Sequence, residues 1–505
     1  MAEPGLARPA AAVALRARRR GLGQAAWIGA VAVGGAAIAL AILVAPEAAL
    51  ALMGATFLGT VAIVYPDRLA RVAIGFLAFL LVGYAMVGRG FAYLGVPPVF
   101  LGEVGLALGL AAAAGSGRIR RVLRSPIAWL LLAYMAWGAA RTLPYVGVHG
   151  VDALRDAVLW GYGVFVLITA ALLLRTGAWD RLVESYRTWL PWLVLYLPFA
   201  YAVTELFEDR LPRLPLSGVP FPDLKPGDVA VHLAGAGAFL LIGLWASRGR
   251  SGRRWLEWIM WGSWLVGFAL VASYNRGGMV SVAAAFLLIA TLRPSWRWLK
   301  IGIAGAVFMA SVVALDVEFT ISERREVSAR QLASNVASVV GYQPAGEELL
   351  ETVEWRKRWW GDIVDYTVRG PYFWTGKGYG LNLAVSDGYA HGQDAVLRSP
   401  HNGHLNVLAR SGVPGLALWA LLHVVFAASL LRAYLRARRT GEEGWAAVDL
   451  WILAVWTAFM VNATFDVFFE GPQGGIWFWC VMGVGLTALE LQREGREPPR
   501  GSEPA

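Results

Sequence analysis

The chain has 505 residues, 57% of them hydrophobic and 16% charged, with a mean hydropathy of +0.53. A soluble domain carries about a quarter charged residues, so that class is excluded, and the lone cysteine, Cys480, excludes an intrachain disulfide and a cysteine-based metal site. The net charge of +10 does not point to nucleic acid, because the arginines are scattered between apolar runs, as membrane topology requires.

Those runs are near twenty residues long, enough to cross a bilayer as a helix. The fold expected is all-α: a polytopic integral membrane protein with about 12–14 transmembrane helices and one long periplasmic loop region. A basic tail, 1–24, containing "RARRR", comes first. Its following run is too long for a signal peptide's apolar region, so no cleaved leader is expected. Eleven spans follow within 25–315: 25–45, 48–65, 72–88, 99–115, 126–142, 157–174, 189–207, 229–247, 256–274, 278–292 and 299–315. Three more, 413–431, 446–465 and 474–489, fill 413–490, and 491–505 is expected to be a second cytoplasmic, disordered tail. With 1–24 placed in the cytoplasm, 28 of the 45 Lys and Arg fall on that side, and ten of the remaining 17 sit in one segment, 316–412. Short loops obey the charge rule and long ones do not, so this orientation puts 316–412 outside.

Segment 316–412 is aromatic-rich, and a loop of this length is usually functional. Within it, 352–370 ("TVEWRKRWWGDIVDYTVRG") reads as an amphipathic helix, and "GPYFWTGKGYGLN" (370–382) as a glycine-punctuated loop. Its end, "SPHNGHLNVLARSGVPG" (399–415), gathers His401, Asn402, His404 and Arg410 just before a long apolar run. Other polar side chains mark outward span ends: Arg276 in "SYNRGGM", Arg356 and Arg358 in the long loop, Arg89 and Arg141 after spans three and five, and Asp228 and His232 after a Pro-rich loop. Glu103 is expected to pair with Arg89, and the 24 tryptophans to serve mostly as interface anchors.

An imidazole takes up a proton near neutral pH, and arginine forks bind phosphate oxygens two at a time. Histidine plus arginines without an acidic cluster therefore suits a substrate that carries its own diphosphate leaving group, with no metal and no cofactor. Taken singly, each residue also has a plainer reading: His401 as an interfacial cap, His404 as support, Arg276 as a snorkelling side chain, and Arg356 and Arg358 as headgroup contacts.

The stretch from His401 resembles the signature of the O-antigen ligase and polymerase superfamily: His, then Asn, Ser or Gln, nine residues, Gly, two residues, then Gly, Thr or Tyr. His401, Asn402, Gly412 and Gly415 fill it. Arg356, Trp360, Pro371, Gly376 and Gly378 fill the family's upstream pattern, and "YNRGG" resembles its Ser-Arg-Gly turn, with Asn275 in the serine place. The resemblance implies an inverting, metal-independent glycosyltransferase of the bacterial inner membrane, working on the periplasmic side. Its implied donor is a glycan on undecaprenyl diphosphate, and its acceptor is lipid A–core for a ligase or another glycan for a polymerase. It implies His401 as base and Arg276 and Arg356 as diphosphate ligands; by placement alone, Asn402, His404, Arg358, Arg410, Arg89, Arg141 and His232 are candidates for support. A protein O-oligosaccharyltransferase fits the same signature. A transporter of polysaccharide or lipid is the alternative of a different class, disfavoured because ionisable residues sit at span ends rather than at mid-membrane.

The orientation has a direct check. After Cys480→Ser, a cysteine at Ser386 should react with an impermeant thiol reagent in intact cells, and one at Ser251 only after permeabilisation; the reverse pattern would overturn the topology.

Overall fold

The computed structural model describes residues 46–96, 99–246, 254–295, 302–303, 305–307, 310–311, 318–322, 325–328, 347–390 and 397–503. The tail 1–24, the first expected span and most of the span at 299–315 lie outside these residues, as does Ser251.

Twelve of the expected spans coincide with helices. They are α1 (Pro46–Val64), α2 (Pro66–Val87), α3 (Leu101–Gly115), α4 (Pro126–His149), the bent pair α5 (Val151–Gly161) and α6 (Val164–Thr176), α7 (Leu182–Leu206), α8 (Pro226–Ile242), α9 (Arg254–Tyr274) and α10 (Arg276–Leu292). After the long loop come α12 (Gly403–Thr440), α13 (Glu443–Ala463) and α14 (Pro472–Arg493). The amphipathic stretch at 352–370 is a helix too, α11 (Glu347–Val364), ending in a π-helical turn at Asp365–Arg369. Among the described residues, strands are confined to two small antiparallel hairpins, Gly95–Val96 with Val99–Phe100 and Glu318–Ser322 with Arg325–Ser328. Among the described residues, six helices are long and apolar enough to cross a membrane, or seven if α5 and α6 form one bent span. The count of 12–14 thus includes four shorter apolar helices: Met53–Val64 within α1, α3, α8 and α10.

The chain divides into two compact units, 1–69 and 70–505. In the first, α1 ends at Tyr65 because Pro66 cannot extend the helical ladder and instead starts α2. In the second, α13 and α14 form the centre, with 78% and 83% of their apolar windows buried, against 39% for α9. Glycines let backbones approach there: a Cβ on Gly483 of α14 would lie 2.8 Å from the Val166 carbonyl of α6.

Polar backbone groups inside the bundle are satisfied across helices. Pro198 in α7 has no N–H to give Val194, four residues earlier, and the Ser263 hydroxyl of α9 donates to that carbonyl at 2.9 Å. The indoles of Trp264, Trp451 and Trp477 donate to the carbonyls of Leu233, Gly235 and Leu81. The expectation that tryptophans are mostly interface anchors therefore needs correcting: these three tie helices together, whereas Trp129, Trp192 and Trp258 stay 61–73% exposed.

Of the basic segments assigned to one side, 116–125, 175–188, 432–445 and 490–503, with Arg293, meet at one end of the second unit. Arg121 pairs with Glu490 and Glu494, Arg293 with Glu443, and Arg175 donates to Ser116 O. The C-terminal residues are bound into this end rather than disordered. Trp445 donates to Arg496 O, Arg500 N to Asp180 O, and the buried Arg187 guanidinium to Gly501 O.

At the other end the long loop is built around a break in α12. Gly412 has φ 70° and ψ −172°, a conformation open almost only to glycine. With Pro414 just beyond, the break frees several backbone groups, and each finds a partner. Lys377 N donates to Ala409 O, Gly378 N to Arg410 O, the Trp137 indole to Ser411 O, and Val413 N to Phe373 O. The Arg141 guanidinium holds the same loop through Thr375 O at 2.8 Å. The buried ion pair Lys377–Asp387, with the Trp359 indole also donating to Asp387, and the small core of Trp359, Ile363, Leu383 and Leu408 fasten α11 onto the first part of α12. Helix α11 therefore packs its aromatic side against protein.

A Cβ at Gly412 would lie 2.5 Å from Phe373 O, whereas one at Gly441, also at positive φ, meets open space. Gly441→Ala should cost about 1 kcal/mol of backbone strain, and Gly412→Ala clearly more, read as a larger fall in the thermal unfolding midpoint in detergent. Equal shifts would refute the tight seating of the break.

Candidate functional site

Sequence 399–402 is a tight entrance to α12. Asn402, 5% exposed, caps the helix: its Oδ1 accepts from His404 N and Leu405 N, each at 3.0 Å. Before it, His401 has φ 51° and is the one non-glycine at positive φ among the described residues. Such a conformation costs on the order of 1 kcal/mol and persists only where its surroundings impose it. The Trp360 indole of α11 donates to Pro400 O at 2.8 Å, and Ser399 Oγ donates to Glu470 at 3.1 Å.

The neighbours of His401 come from three separate segments. Burial lowers its pKa below the usual value, the Arg356 guanidinium and, more weakly, Lys225 push the same way, and Asp466 opposes them. Arg356 projects from α11; burial lowers its own pKa, Asp466 supports its charge, and its Nε has no hydrogen-bond partner. Lys225 immediately precedes α8, and a Cβ on Gly227 would lie 3.0 Å from Asp466 Oδ2 and 3.1 Å from the Asn462 amide. The turn carrying Arg276 reaches the same corner. Asn275 caps α10 by accepting from Gly278 N at 3.0 Å, and a Cβ on Gly277 would lie 2.5 Å from that of Phe465, the residue before Asp466. Segments 225–228, 275–277, 356–360, 399–402 and 462–466 thus converge.

The remaining residues singled out from sequence serve other purposes. Both ring nitrogens of His404 are engaged: Nε2 donates to Met460 O at 3.0 Å, and Nδ1 accepts from the Trp419 indole at 3.1 Å. Arg410, 1% exposed, pairs with Asp156 at 2.8 Å and donates to Asn406 Oδ1 and Leu381 O. Arg141 holds the glycine-rich loop. Arg89 sits 3.8 Å from Asp223 and over the Tyr93 ring, so the expected pair with Glu103 is not formed; Glu103 instead accepts from Tyr162 OH and Phe100 N. Arg358 is exposed and acts on Tyr389. His232 is buried edge-on to Trp477, 5.1 Å between ring centres.

Lys225, Asp466 and Glu470 were missed in the sequence. Asp466 and Glu470 are the acidic residues of the short turn between the last two spans, which was a signal, but nothing local ties that turn to a histidine sixty residues earlier. One carboxylate does join the expected histidine and arginines: Asp466 acts on both His401 and Arg356. Glu470, behind the loop, accepts from Ser399 and from Asn406 Nδ2, and burial pushes it up to about 7, with Arg410 and Ser399 opposing. Among the described residues, no three His, Cys, Asp or Glu side chains are grouped to hold a metal ion.

A polytopic helical membrane protein with a strained histidine among cations at one end of its helices is the class that fold and site define. Residues 261–420, from α9 into α12, match the family model described as O-antigen ligase. The match includes Arg276, Arg356 and His401. No curated protein matches the chain.

His404→Ala removes two buried hydrogen bonds and should cost about 1–3 kcal/mol of stability, whereas His401→Ala leaves the backbone contacts that impose its positive φ in place and should leave the unfolding midpoint nearly unchanged. Thermal scans of the two purified variants would show it, and equal losses would contradict the different surroundings described.

Proposed function

We propose that this protein is an inverting, metal-independent glycosyltransferase that moves a glycan from undecaprenyl diphosphate to an acceptor hydroxyl at the periplasmic face of the bacterial inner membrane, with lipid A–core as the acceptor of an O-antigen ligase. The observation that carries the reading is His401 held at positive φ beside an Arg356 whose Nε is unpartnered, with Lys225 on the same side. His401, kept neutral by burial and by Arg356, would take the proton of the acceptor hydroxyl. The freed oxygen would attack the anomeric carbon from the face opposite the diphosphate. The carbon–oxygen bond to phosphate would break, inverting the centre and releasing undecaprenyl diphosphate. Arg356 and Arg276 would bind the diphosphate and stabilise its growing charge. Asn402 would set the backbone behind His401, and Asp466 would hold Arg356 in its charged form.

Polymerase and protein O-oligosaccharyltransferase remain readings of the same chemistry, since they share donor and leaving group. Lipid-linked glycans from cells lacking the gene would separate them: full-length polymer accumulates if a ligase is missing, single repeats if a polymerase is.

General-base assistance is worth about 10²–10⁴ in rate, so His401→Ala should lower transfer by at least about two orders of magnitude while donor binding survives. Arg276→Ala should weaken donor binding and turnover together, with poor rescue by Lys because the fork is lost. A near-normal rate for His401→Ala in purified protein would remove the base assignment.

The base must be neutral, so the rate should fall as pH drops through its pKa. That value is below the ordinary one of about 6.5, so transfer should stay level from about pH 8 to 7 and decline only below about 6.5. Transfer should also survive EDTA; loss on chelation with recovery on adding magnesium would count against the mechanism.

A further inference from the structure

We infer that Glu470 is a positioning residue for His401, a carboxylate that grips the chain on both sides of the histidine and imposes its left-handed backbone. Its two oxygens are used separately. Oε2 accepts from Ser399 Oγ at 3.1 Å, two residues before His401, and Oε1 accepts from Asn406 Nδ2, five residues after it. Asn406 cannot turn its amide away, because its Oδ1 accepts from Arg410 Nε at 3.0 Å. Arg410 is anchored in turn by Asp156 at 2.8 Å, and Arg398, the residue before Ser399, lies 3.5 Å from the same carboxylate. Helix α12 is thus held from behind by a chain of charge-assisted contacts, and within it Glu470 ties Asn406 directly to Ser399, two residues before His401, while Arg398 meets Asp156.

The cavity among these groups is small. About 30 Å³ is lined by Arg155, Asp156, Arg398, Asn406, Arg410 and Glu470, room for one or two waters and too little for a sugar or a phosphate. The cluster therefore does not serve as a ligand subsite. What it can do is mechanical: without the Glu470 clasp, the left-handed residue would be free to relax, and the imidazole would move away from Arg356.

The inference rests on the glycosyltransferase reading only for the reaction it serves, and its test includes a readout that needs no substrate. In the purified full-length protein, the rate at which diethyl pyrocarbonate modifies His401 is measured by mass spectrometry against His149 as the internal reference. The proteins compared are the wild type, Glu470→Gln, Ser399→Ala and the double variant. Ser399→Ala removes one hydroxyl and no charge, so it answers if Glu470→Gln fails to fold.

The His401 rate should shift at least about threefold relative to His149 in each single variant. Turnover should fall about tenfold with the donor KM unchanged, as misplacement of a reacting group predicts. The double variant should be no worse than about the weaker single, because both substitutions cut one link. Unchanged His401 labelling in folded Ser399→Ala, or losses that multiply in the double variant, would overturn the inference. Absence of glycan transfer by the wild-type protein would overturn the functional reading and leave the labelling result standing.

Discussion

The break in α12 at Gly412 is the constraint on which the rest of this end of the molecule depends. A helix interrupted within a largely apolar bundle leaves backbone groups that lipid cannot satisfy and that protein must. Here the interruption is answered by main chain. Segment 373–378 donates to Ala409 O and Arg410 O and accepts from Val413 N, while Trp137 caps Ser411 O. The glycine-rich loop cannot leave without unpairing the break, and the break cannot close without expelling the loop. At Gly376, the Cβ of any other residue would lie 2.3 Å from the Arg410 carbonyl carbon, so the two backbones touch with no side chain between them.

From that seating the site follows. The first part of α12, before the break, is fixed relative to the bundle by the loop and by Arg410–Asp156, and α11 is fixed on it through Trp359 and Ile363. Arg356 and Trp360 lie on α11, so the guanidinium that acts on His401 and the indole that holds Pro400 O arrive together. The stability of the loop region and the placement of its charged groups are one property. Four carboxylates stand near the cations, with unequal roles: Asp156 and Asp387 neutralise buried cations, Glu470 clasps the chain, and Asp466 faces His401 and Arg356.

Reading the sequence for chemistry succeeded where residues of one local pattern do one local job. The polar cluster in "SPHNGHLNVLARSGVPG" is visible because its residues are adjacent, but hydropathy starts the span at 413 and makes His401 the cap, whereas the helix begins at Gly403 with Asn402 as its cap, since polar residues carry its first turns outside the apolar run. The pattern set His401 apart from His404 as base and support, but it did not show that Met460 and Trp419 hold His404, or that Arg410 is taken up by Asn406, Leu381 and Asp156, the last more than 250 residues away in sequence. It also paired Arg89 with Glu103, which are close in sequence. The chain gives Arg89 to Asp223 because the backbone carbonyl of Asp223 accepts from Arg89 N and brings its side chain along.

By itself the sequence determined the membrane-spanning class, the positions of most helices, an aromatic helix expected at 352–370 and found at 347–364, and the segments where polar chemistry would gather, since hydropathy and helix punctuation act over one or two turns. Only the tertiary structure decided that Lys225, Asp466 and Glu470 join that chemistry, which tryptophans tie helices together, and that the C-terminal residues are bound between Trp445, Asp180 and Arg187. The physical reason is that these outcomes depend on which helix ends meet. In a bundle whose outer surfaces are uniformly apolar, that is decided by close backbone contact at glycines and by the pairing of buried polar groups, both of which join residues far apart in the chain.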